Sequence, residues 1–247
     1  TATPEIYTLS LHDALPIFQR GHPRHTVLQG VLQRRNGQWW ITMSHDTRTF
    51  CRPDPEMSGL YRVVDACSGI GAVATGFEQT GAEIICHVEG NEQFCQWKSS
   101  RSSVPCIRGD VNHVQTIHAV AKHTQWSHTL SAGISCQPFS KLGDERQEKD
   151  PRSASLPGTL LMGYFLGSIA IILECTQEAG KSDWVQNQLQ AFASQIGFTM
   201  QQTVLMLHET WPARRTRWWA ILAHAALCIR PIKKCRFCSL NQPSSMS

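Results

Sequence analysis

The chain has 247 residues, of which 41% are hydrophobic and 17% are charged. This composition supports a real core, excludes a wholly disordered chain, and fits one domain of ordinary size or one plus part of another. The formal net charge of +4 comes without a polybasic tract, so a nucleic-acid partner is compatible with the charge but not required by it.

The cysteines indicate the redox environment. Ten of them are spread irregularly through apolar segments, with no secretory leader ahead of them. In a chain of this length, such a distribution favours free thiols over a disulfide framework. We therefore expect an intracellular protein in a reducing compartment, the nucleus in a eukaryote or the cytoplasm in a bacterium.

Residues 1–60 are predicted to form a partly disordered N-terminal extension. Its first 17 residues, TATPEIYTLSLHDALPI, resemble one translated reading frame of a sequencing-library adapter, and would then carry no evolved information. An ordinary disordered N-terminus is the alternative. The segment QWWITMS at 38–44 is typical of a strand, and Pro53 and Pro55 mark a linker.

From Tyr61 onward, strands alternate with helices. Arg62 to Ala66 is an apolar strand, followed by a glycine-bearing turn and a helix up to Gly81. Four further strands are predicted in the segments AEIICHVEGN, VPCIRGD, TLSAGISC and IAIILEC, with a helix in NEQFCQWKSS. This alternation predicts an α/β fold with a mainly parallel sheet and helices on both faces.

One uncharged run, from Ser153 to Leu173, is long enough to cross a bilayer. Proline, glycine and serine residues interrupt it, at Pro157, Gly158, Gly163, Gly167 and Ser168. We therefore predict a helix at about LLMGYFLG and a buried strand IAIIL in place of a membrane span.

Polar or reactive side chains stand at the ends of the five predicted strands: Asp65, Glu89, Asp110, Cys136 and Glu174. In a parallel sheet, ligands bind beyond the carboxyl ends of the strands, so these side chains are expected to gather at one edge. Cys136 has two interpretations, a small apolar residue of the interior or a thiol displayed above the sheet.

The segment DACSGIG at 65–71 is a candidate nucleotide-binding turn. Gly69 and Gly71 allow close approach of the backbone to a ligand, although the segment lacks the full G-x-G-x-x-G pattern. Glu89 is placed to accept hydrogen bonds from ribose hydroxyls, and Asp110 from an exocyclic amine of adenine. The alternative for each acid is a helix N-cap.

Seven segments together resemble the C5-cytosine DNA methyltransferases. These are DACSGIG, VEGN, RGD, GISCQPFS, the Asp150–Arg152 pair, ILEC and WPARRTRWWAIL, which occur in the family's order and approximate spacing between Val63 and Ala223. The resemblance implies a Rossmann-like catalytic domain at 61–224 that depends on S-adenosylmethionine. It implies that the cofactor contacts Asp65, Cys67, Gly69, Gly71, Glu89 and Asp110.

The resemblance also implies a covalent mechanism. Cys136 would be the nucleophile that attacks C6 of a cytosine, and Glu174 would hydrogen-bond N3 and the exocyclic amine. Arg217 would contact the base oxygen, and Arg215 would support the site. The substrate loop would include Ser135, Gln137 and Ser140. The base must be flipped out of the stack, because C5 and C6 are inaccessible within a duplex.

Four positions depart from the family pattern. Ser135 replaces the proline before the nucleophile, Cys67 an aromatic residue, Cys175 the asparagine after the glutamate, and Ala213 a glutamine. Each change leaves the reacting groups in place. Together they suggest a divergent member with weakened activity.

Residues 225–247 form a cysteine-containing tail. The family continues here with a target-recognition region and a final motif, so the resemblance implies a truncated catalytic domain whose tail begins that region. Half a zinc site could be formed by Cys228, Cys235 and Cys238, but a lone C-x-x-C falls short of the usual four ligands, and no metal is predicted.

Three functions remain open on the sequence. The first is methylation of cytosine C5 in DNA, by a protein that is monomeric and not bound to a membrane. The second is the same reaction on tRNA. The third is an inactive remnant that binds cofactor or DNA.

Overall fold

The computed structural model describes residues 61–139, 150–206, 216–225 and 227, together with three strands nearer the N-terminus. Those strands are β1 (Ile6–Ser10), β2 (Gln29–Arg35) and β3 (Gln38–Met43), paired antiparallel in the order β1-β2-β3. β3 agrees with the strand predicted at 38–44, whereas β1 and β2 were not predicted.

A seven-stranded sheet organises residues 62–224. Its strands are β4 (Arg62–Ala66), β5 (Glu83–Glu89), β6 (Cys106–Arg108), β7 (Thr129–Gly133), β8 (Ala170–Cys175), β9 (Phe198–Met206) and β10 (Thr216–His224). The spatial order is β6-β5-β4-β7-β8-β10-β9. β4 to β8 are mutually parallel, and β10 runs antiparallel between β8 and β9.

In the described ranges, six helices connect these strands. They are α1 (Ala72–Gln79), α2 (Glu92–Ser99), α3 (Val114–Thr124), α4 (Ser155–Phe165), α5 (Gln177–Lys181) and α6 (Asp183–Ile196). Short 3-10 helices cover Gln137–Phe139 and Pro151–Ala154. Parallel neighbours require crossover connections, and helices supply them here. The predicted α/β fold with a mainly parallel sheet is confirmed.

The strand order places a crevice between β4 and β7. From β4 the chain adds β5 and then β6 on one side, whereas β7 and β8 extend the sheet on the other side. Ligands of open parallel sheets bind at such a reversal, beyond the carboxyl ends of the two central strands. The segments that follow β4 and β7 are therefore the ones expected to form a site.

α4 is buried almost all round, which explains why its sequence lacks charge. Every residue from Ser155 to Tyr164 is buried, and the helix packs on β8 through Gly163. A Cβ atom built on Gly163 would lie 2.5 Å from Cδ1 of Ile171, so only glycine permits this close approach. In the described part of the chain, no helix is long and apolar enough to cross a membrane.

Three boundaries differ from the sequence prediction. α4 begins at Ser155 and includes Pro157 and Gly158, because a proline in the first turn removes no intrahelical hydrogen bond. α1 ends at Gln79, two residues before the predicted Gly81. β7 ends at Gly133 and not at Cys136. The three residues before Gln137 form a loop that starts where the Ile134 N–H donates to the Glu174 carbonyl oxygen at 3.1 Å.

Candidate active site

The turn after β4 has an unusual backbone. Cys67, Gly69 and Gly71 have φ values of 48°, 49° and 87°, in the left-handed region that favours glycine. The Gly71 N–H donates to the Ser68 carbonyl oxygen at 2.7 Å, which closes the turn just before α1. The turn therefore lies at the carboxyl end of β4.

Glu89, the last residue of β5, joins this turn to the start of α2. Its Oε2 accepts from the Gly69 N–H at 2.6 Å, and its Oε1 accepts from the Asn91 N–H at 2.8 Å. A carboxylate offers about four acceptor positions, so these two bonds leave acceptor capacity for hydroxyl groups of a ligand. The N-cap of α2 is Asn91, so Glu89 does not have the N-cap role that was its alternative.

Asp65 lies beneath the turn and not at the open edge. Its side chain is 1% exposed, and Oδ2 lies 3.3 Å from Nδ1 of His87. Burial raises the pKa of Asp65, an effect that His87 and Lys98 oppose through their attraction for the carboxylate. Asp65 is one residue before the end of β4, so it is a buried neighbour of the turn and is not exposed to solvent at this edge.

Cys67 and Asp110 lie on either side of the same region. Burial, with a smaller contribution from the charges of Glu89 and Asp110, raises the pKa of the Cys67 thiol to about 12. Asp110 is exposed, and its Oδ1 accepts from the Asn112 N–H at 2.9 Å. This local bond resembles the capping role that was its alternative, and it leaves the other carboxylate oxygen for a ligand.

Cys136 is displayed at the surface just beyond β7. It is exposed, whereas the other cysteines in the described ranges, at 67, 86, 95, 106 and 175, are buried or partly buried. The Phe139 N–H donates to the Cys136 carbonyl oxygen at 3.0 Å, and Phe139 is buried. The displayed thiol is therefore the interpretation that the structure favours.

The loop around Cys136 is held from two sides. On one side, the Ser135 N–H donates to Oγ of Ser155 at the start of α4, at 3.4 Å. On the other side, Arg152 donates to Oε1 of Gln137 and, through Nε at 2.8 Å, to Oδ1 of Asp150. The Asp150–Arg152 pair thus fixes the residue that follows the thiol.

Glu174 on β8 forms an ion pair with Arg217 on β10. Nε of Arg217 lies 2.7 Å from Oε1 of Glu174, and their side chains are 23% and 20% exposed. The antiparallel register places Trp219 opposite Glu174, and residues i and i+2 of a strand share a face. Arg217 therefore reaches the carboxylate from the same face of the sheet.

Gly133 lies between the turn that follows β4 and the Glu174 side chain on β8. A Cβ atom built on Gly133 would lie 3.6 Å from the carbonyl oxygen of Cys67 and 3.6 Å from Oε2 of Glu174. The turn after β4 and the free oxygen of the carboxylate on β8 therefore border the same small space. Cys136 follows Gly133 by three residues at this edge.

Comparison with protein families identifies one segment of the chain, which contains most of these residues. Residues 61–172 match the family model of the C-5 cytosine-specific DNA methylases. The resemblance that the motifs carry is confirmed over this segment. It contains the turn after β4, Glu89, Asp110 and Cys136, and it ends two residues before Glu174.

Solved structures show the same fold. The chain is similar to the S. pombe Dnmt2 methyltransferase at 19% identity and a TM-score of 0.53, covering 66% of this chain and 49% of that one. A mutant of Spodoptera frugiperda DNMT2 is 20% identical with a TM-score of 0.55, and the match covers 68% of this chain and 51% of that one. The Entamoeba histolytica methyltransferase EhMeth is 14% identical with a TM-score of 0.54, and the match covers 67% of this chain and 53% of that one.

At these identities the similarity shows the fold alone, the Rossmann-like fold of S-adenosylmethionine-dependent methyltransferases. The chain spans about half the length of these solved relatives. Among curated proteins, no sequence is detectably similar to it.

Two contributors beyond the predicted site residues emerge from the structure. Sγ of Cys175 lies 3.6 Å from the Ile134 carbonyl oxygen and 3.8 Å from that of Ser135, directly behind the loop around Cys136. Burial raises the pKa of Cys175 to about 12, so it remains a thiol that can donate. The second contributor is Lys98. Its side chain is only 3% exposed, which the sequence did not predict.

Several predicted residues lie outside the described residues. They are Ser140 of the substrate loop, Arg215, and the tail cysteines Cys228, Cys235 and Cys238. Within the described ranges, no group of three or more His, Cys, Asp or Glu side chains could hold a metal ion.

Proposed function

We propose that this protein transfers a methyl group from S-adenosylmethionine to C5 of cytosine in DNA, with Cys136 as the nucleophile. The observation that carries the proposal is the convergence at Gly133, where the Cys67 carbonyl and the Glu174 carboxylate border one space next to the Cys136 loop. A cofactor turn, a carboxylate and an exposed thiol are the parts that this reaction needs in one place.

The residues of the turn fit the cofactor. Gly69 and Gly71 present a backbone without Cβ atoms, and Glu89 keeps acceptor capacity for the ribose hydroxyls after bonding Gly69 and Asn91. Asp110 is exposed on the neighbouring segment, in reach of an adenine amine in this proposal. When bound, the cofactor supplies a methyl group activated by its positively charged sulfur.

The thiol and the carboxylate act on the base. The Cys136 thiolate forms a bond to C6, and the electron pair of the C5–C6 double bond becomes available at C5. Oε1 of Glu174 is fixed by Arg217, which leaves Oε2 to bind the N3 and amine edge of cytosine and stabilise the charge that develops there. After C5 is methylated, its proton passes to water, the electron pair of the C5–H bond re-forms the C5–C6 double bond, and the Cys136 thiolate leaves C6.

Arg217 has donors left for the base. Its guanidinium carries five N–H groups, and the described contacts use one towards Glu174 and one towards the Thr216 carbonyl oxygen at 2.9 Å. We assign another of these donors to the cytosine oxygen. The base must reach the site unstacked, so the reaction requires flipping from a duplex.

DNA is proposed as the substrate because the matched family model is one of DNA methylases. The test is methyl transfer from labelled cofactor to DNA and, separately, to tRNA, followed by digestion and analysis of the nucleosides. The proposal expects 5-methyldeoxycytidine, and none with Cys136→Ser. Product in tRNA alone would establish the RNA alternative, and no product in either would support an inactive remnant.

Glu89 provides a separate test of the cofactor site. Glu89→Ala is expected to weaken cofactor binding by about 1.5–3 kcal/mol, because the ribose hydroxyls lose a charged acceptor and Gly69 loses its partner. Calorimetric titration of S-adenosylmethionine measures this. Glu92→Ala, at an exposed position three residues along the chain, is the matched control and should bind as the parent does. Equal affinity of the parent and Glu89→Ala would remove Glu89 from the site.

A further inference from the structure

A buried lysine lies beneath the turn that follows β4. Lys98, in the last turn of α2, is 3% exposed, and its ammonium group donates to Oγ of Ser68. Its Cε atom would lie 3.7 Å from a Cβ atom built on Gly71, so the side chain passes directly under the turn. A buried ammonium group is costly unless it is paired, so a position of this kind requires compensation from its surroundings.

The surroundings supply that compensation. The carboxylate of Asp65, 1% exposed, attracts Lys98. Oδ1 of Asp65 has no hydrogen-bond partner among the described residues. The hydrogen bond to Oγ of Ser68 satisfies one of the three donors of the ammonium group.

Ser68 transmits the position of Lys98 to the turn. Its Oγ accepts from Lys98 and donates to the Val88 carbonyl oxygen at 3.2 Å, and its N–H donates to the same oxygen at 3.1 Å. Its own carbonyl oxygen accepts from the Gly71 N–H. Ser68 therefore fastens the turn to β5 one residue before Glu89.

We propose that Lys98 is a positioning residue of the cofactor site, acting through Ser68 on the turn at 67–71. The turn contains three residues with positive φ, and such a backbone persists only where its surroundings hold it. Lys98 is the cationic anchor of that support. This inference rests on the proposed function, because the turn is assigned to S-adenosylmethionine there.

The test combines cofactor binding with hydrogen exchange on the full chain. Lys98→Met removes the ammonium group and keeps most of the side-chain length, and Ser68→Ala removes the acceptor. Each is expected to weaken S-adenosylmethionine binding about tenfold or more, the scale of a hydrogen bond to a charged group. Both substitutions break the hydrogen bond between Lys98 and Ser68. The double variant should therefore have the same affinity for S-adenosylmethionine as whichever single variant binds it more weakly.

Hydrogen exchange gives a readout that does not depend on the cofactor. In both single variants, amides of residues 63–72 should exchange faster than in the parent, while amides of β8 keep their protection. Lys122→Met, at an exposed position on α3, is the matched control and should change neither affinity nor exchange. If Lys98→Met fails to fold, Lys98→Gln, which keeps a polar donor without the charge, replaces it in the same two measurements, because Ser68→Ala also removes the bond to the Val88 carbonyl oxygen.

The outcomes separate the two proposals. A parent protein that binds no S-adenosylmethionine contradicts the proposed function, while faster exchange at 63–72 in the variants would still support the role of Lys98. Parent binding that Lys98→Met leaves unchanged, with the turn still protected, overturns the inference about Lys98. The inference is also overturned if the losses of binding free energy in the two single variants add up in the double variant, because Lys98 would then act independently of Ser68.

Discussion

Cys136 and Cys175 lie close to the same loop in opposite environments. Cys136 is exposed beyond β7, whereas Cys175 is buried behind the same loop. Burial, with smaller contributions from the nearby Cys136 and Glu174, raises the pKa of Cys175 to about 12. A thiol with such a pKa is neither a nucleophile nor readily oxidised near neutral pH.

This contrast predicts the order of alkylation. With limiting iodoacetamide near neutral pH, Cys136 should be modified at least about tenfold faster than Cys175 or Cys67, because only thiolates that solvent can reach react. Mass spectrometry of the peptides measures the rates, and in denaturant the three rates should converge. Modification of Cys175 at the same rate as Cys136 in the folded protein would contradict the described burial.

At the scale of elements, α5 packs against β10 through a glycine. A Cβ atom built on Gly180 would lie 2.3 Å from Cδ1 and 2.6 Å from Cγ of Trp218, whose ring is 2% exposed. A buried indole cannot move aside easily. The contact fixes the position of β10, and with it that of Arg217 one residue earlier.

Gly180→Ala is therefore expected to destabilise the fold by about 1–3 kcal/mol, the cost of overpacking a core. Gly76→Ala is the matched control, because Gly76 also lies in a helix and a Cβ atom there meets nothing within 4 Å. That variant should be stabilised by up to about 1 kcal/mol through helix propensity. Chemical denaturation measures both. A Gly180→Ala variant as stable as Gly76→Ala would contradict the packing of α5.

A second element contact, between β4 and the start of β7, depends on pH. Nδ1 of His128 accepts from the Arg62 N–H at 2.9 Å, and its ring stacks on Tyr61 with centroids 4.8 Å apart. Partial burial lowers the pKa of His128 from 6.5, and the charge of Arg62 lowers it further. The neutral ring is thus the form that the fold stabilises.

The sign of the effect follows from this shift. Above pH 6.5, His128 is neutral in the folded and the unfolded protein, and its contribution to stability is fully present. As the pH falls from 6.5 to the lower pKa of the folded state, the unfolded chain binds the proton first. The free energy of unfolding should therefore fall over this window. His128→Asn, whose Oδ1 can replace Nδ1, should flatten the profile, whereas His123→Asn, at an exposed position, should not. Equal slopes for the parent and His128→Asn would contradict the assignment.

Across the whole molecule, the parallel sheet and its edge were predictable, because buried strands and their polar ends follow from local patterns. Glu89 and Glu174 stand at strand ends as expected. Lys98 was not predictable, because a lysine in an amphipathic helix normally faces solvent and only the packing of α2 against the turn buries it. The role of Gly133 also depends on the strand order, which the sequence leaves open.

The central claim is that Cys136 attacks a cytosine at this edge of the sheet, and a trapped adduct tests it most directly. DNA carrying 5-fluorocytosine, incubated with the protein and S-adenosylmethionine, should form a stable conjugate, because fluorine at C5 cannot leave as the proton does and the bond to C6 persists. Cys136→Ser should abolish the conjugate, and Glu174→Gln should slow its formation while cofactor binding is retained. A conjugate that maps to another cysteine, or that survives Cys136→Ser, would contradict the account.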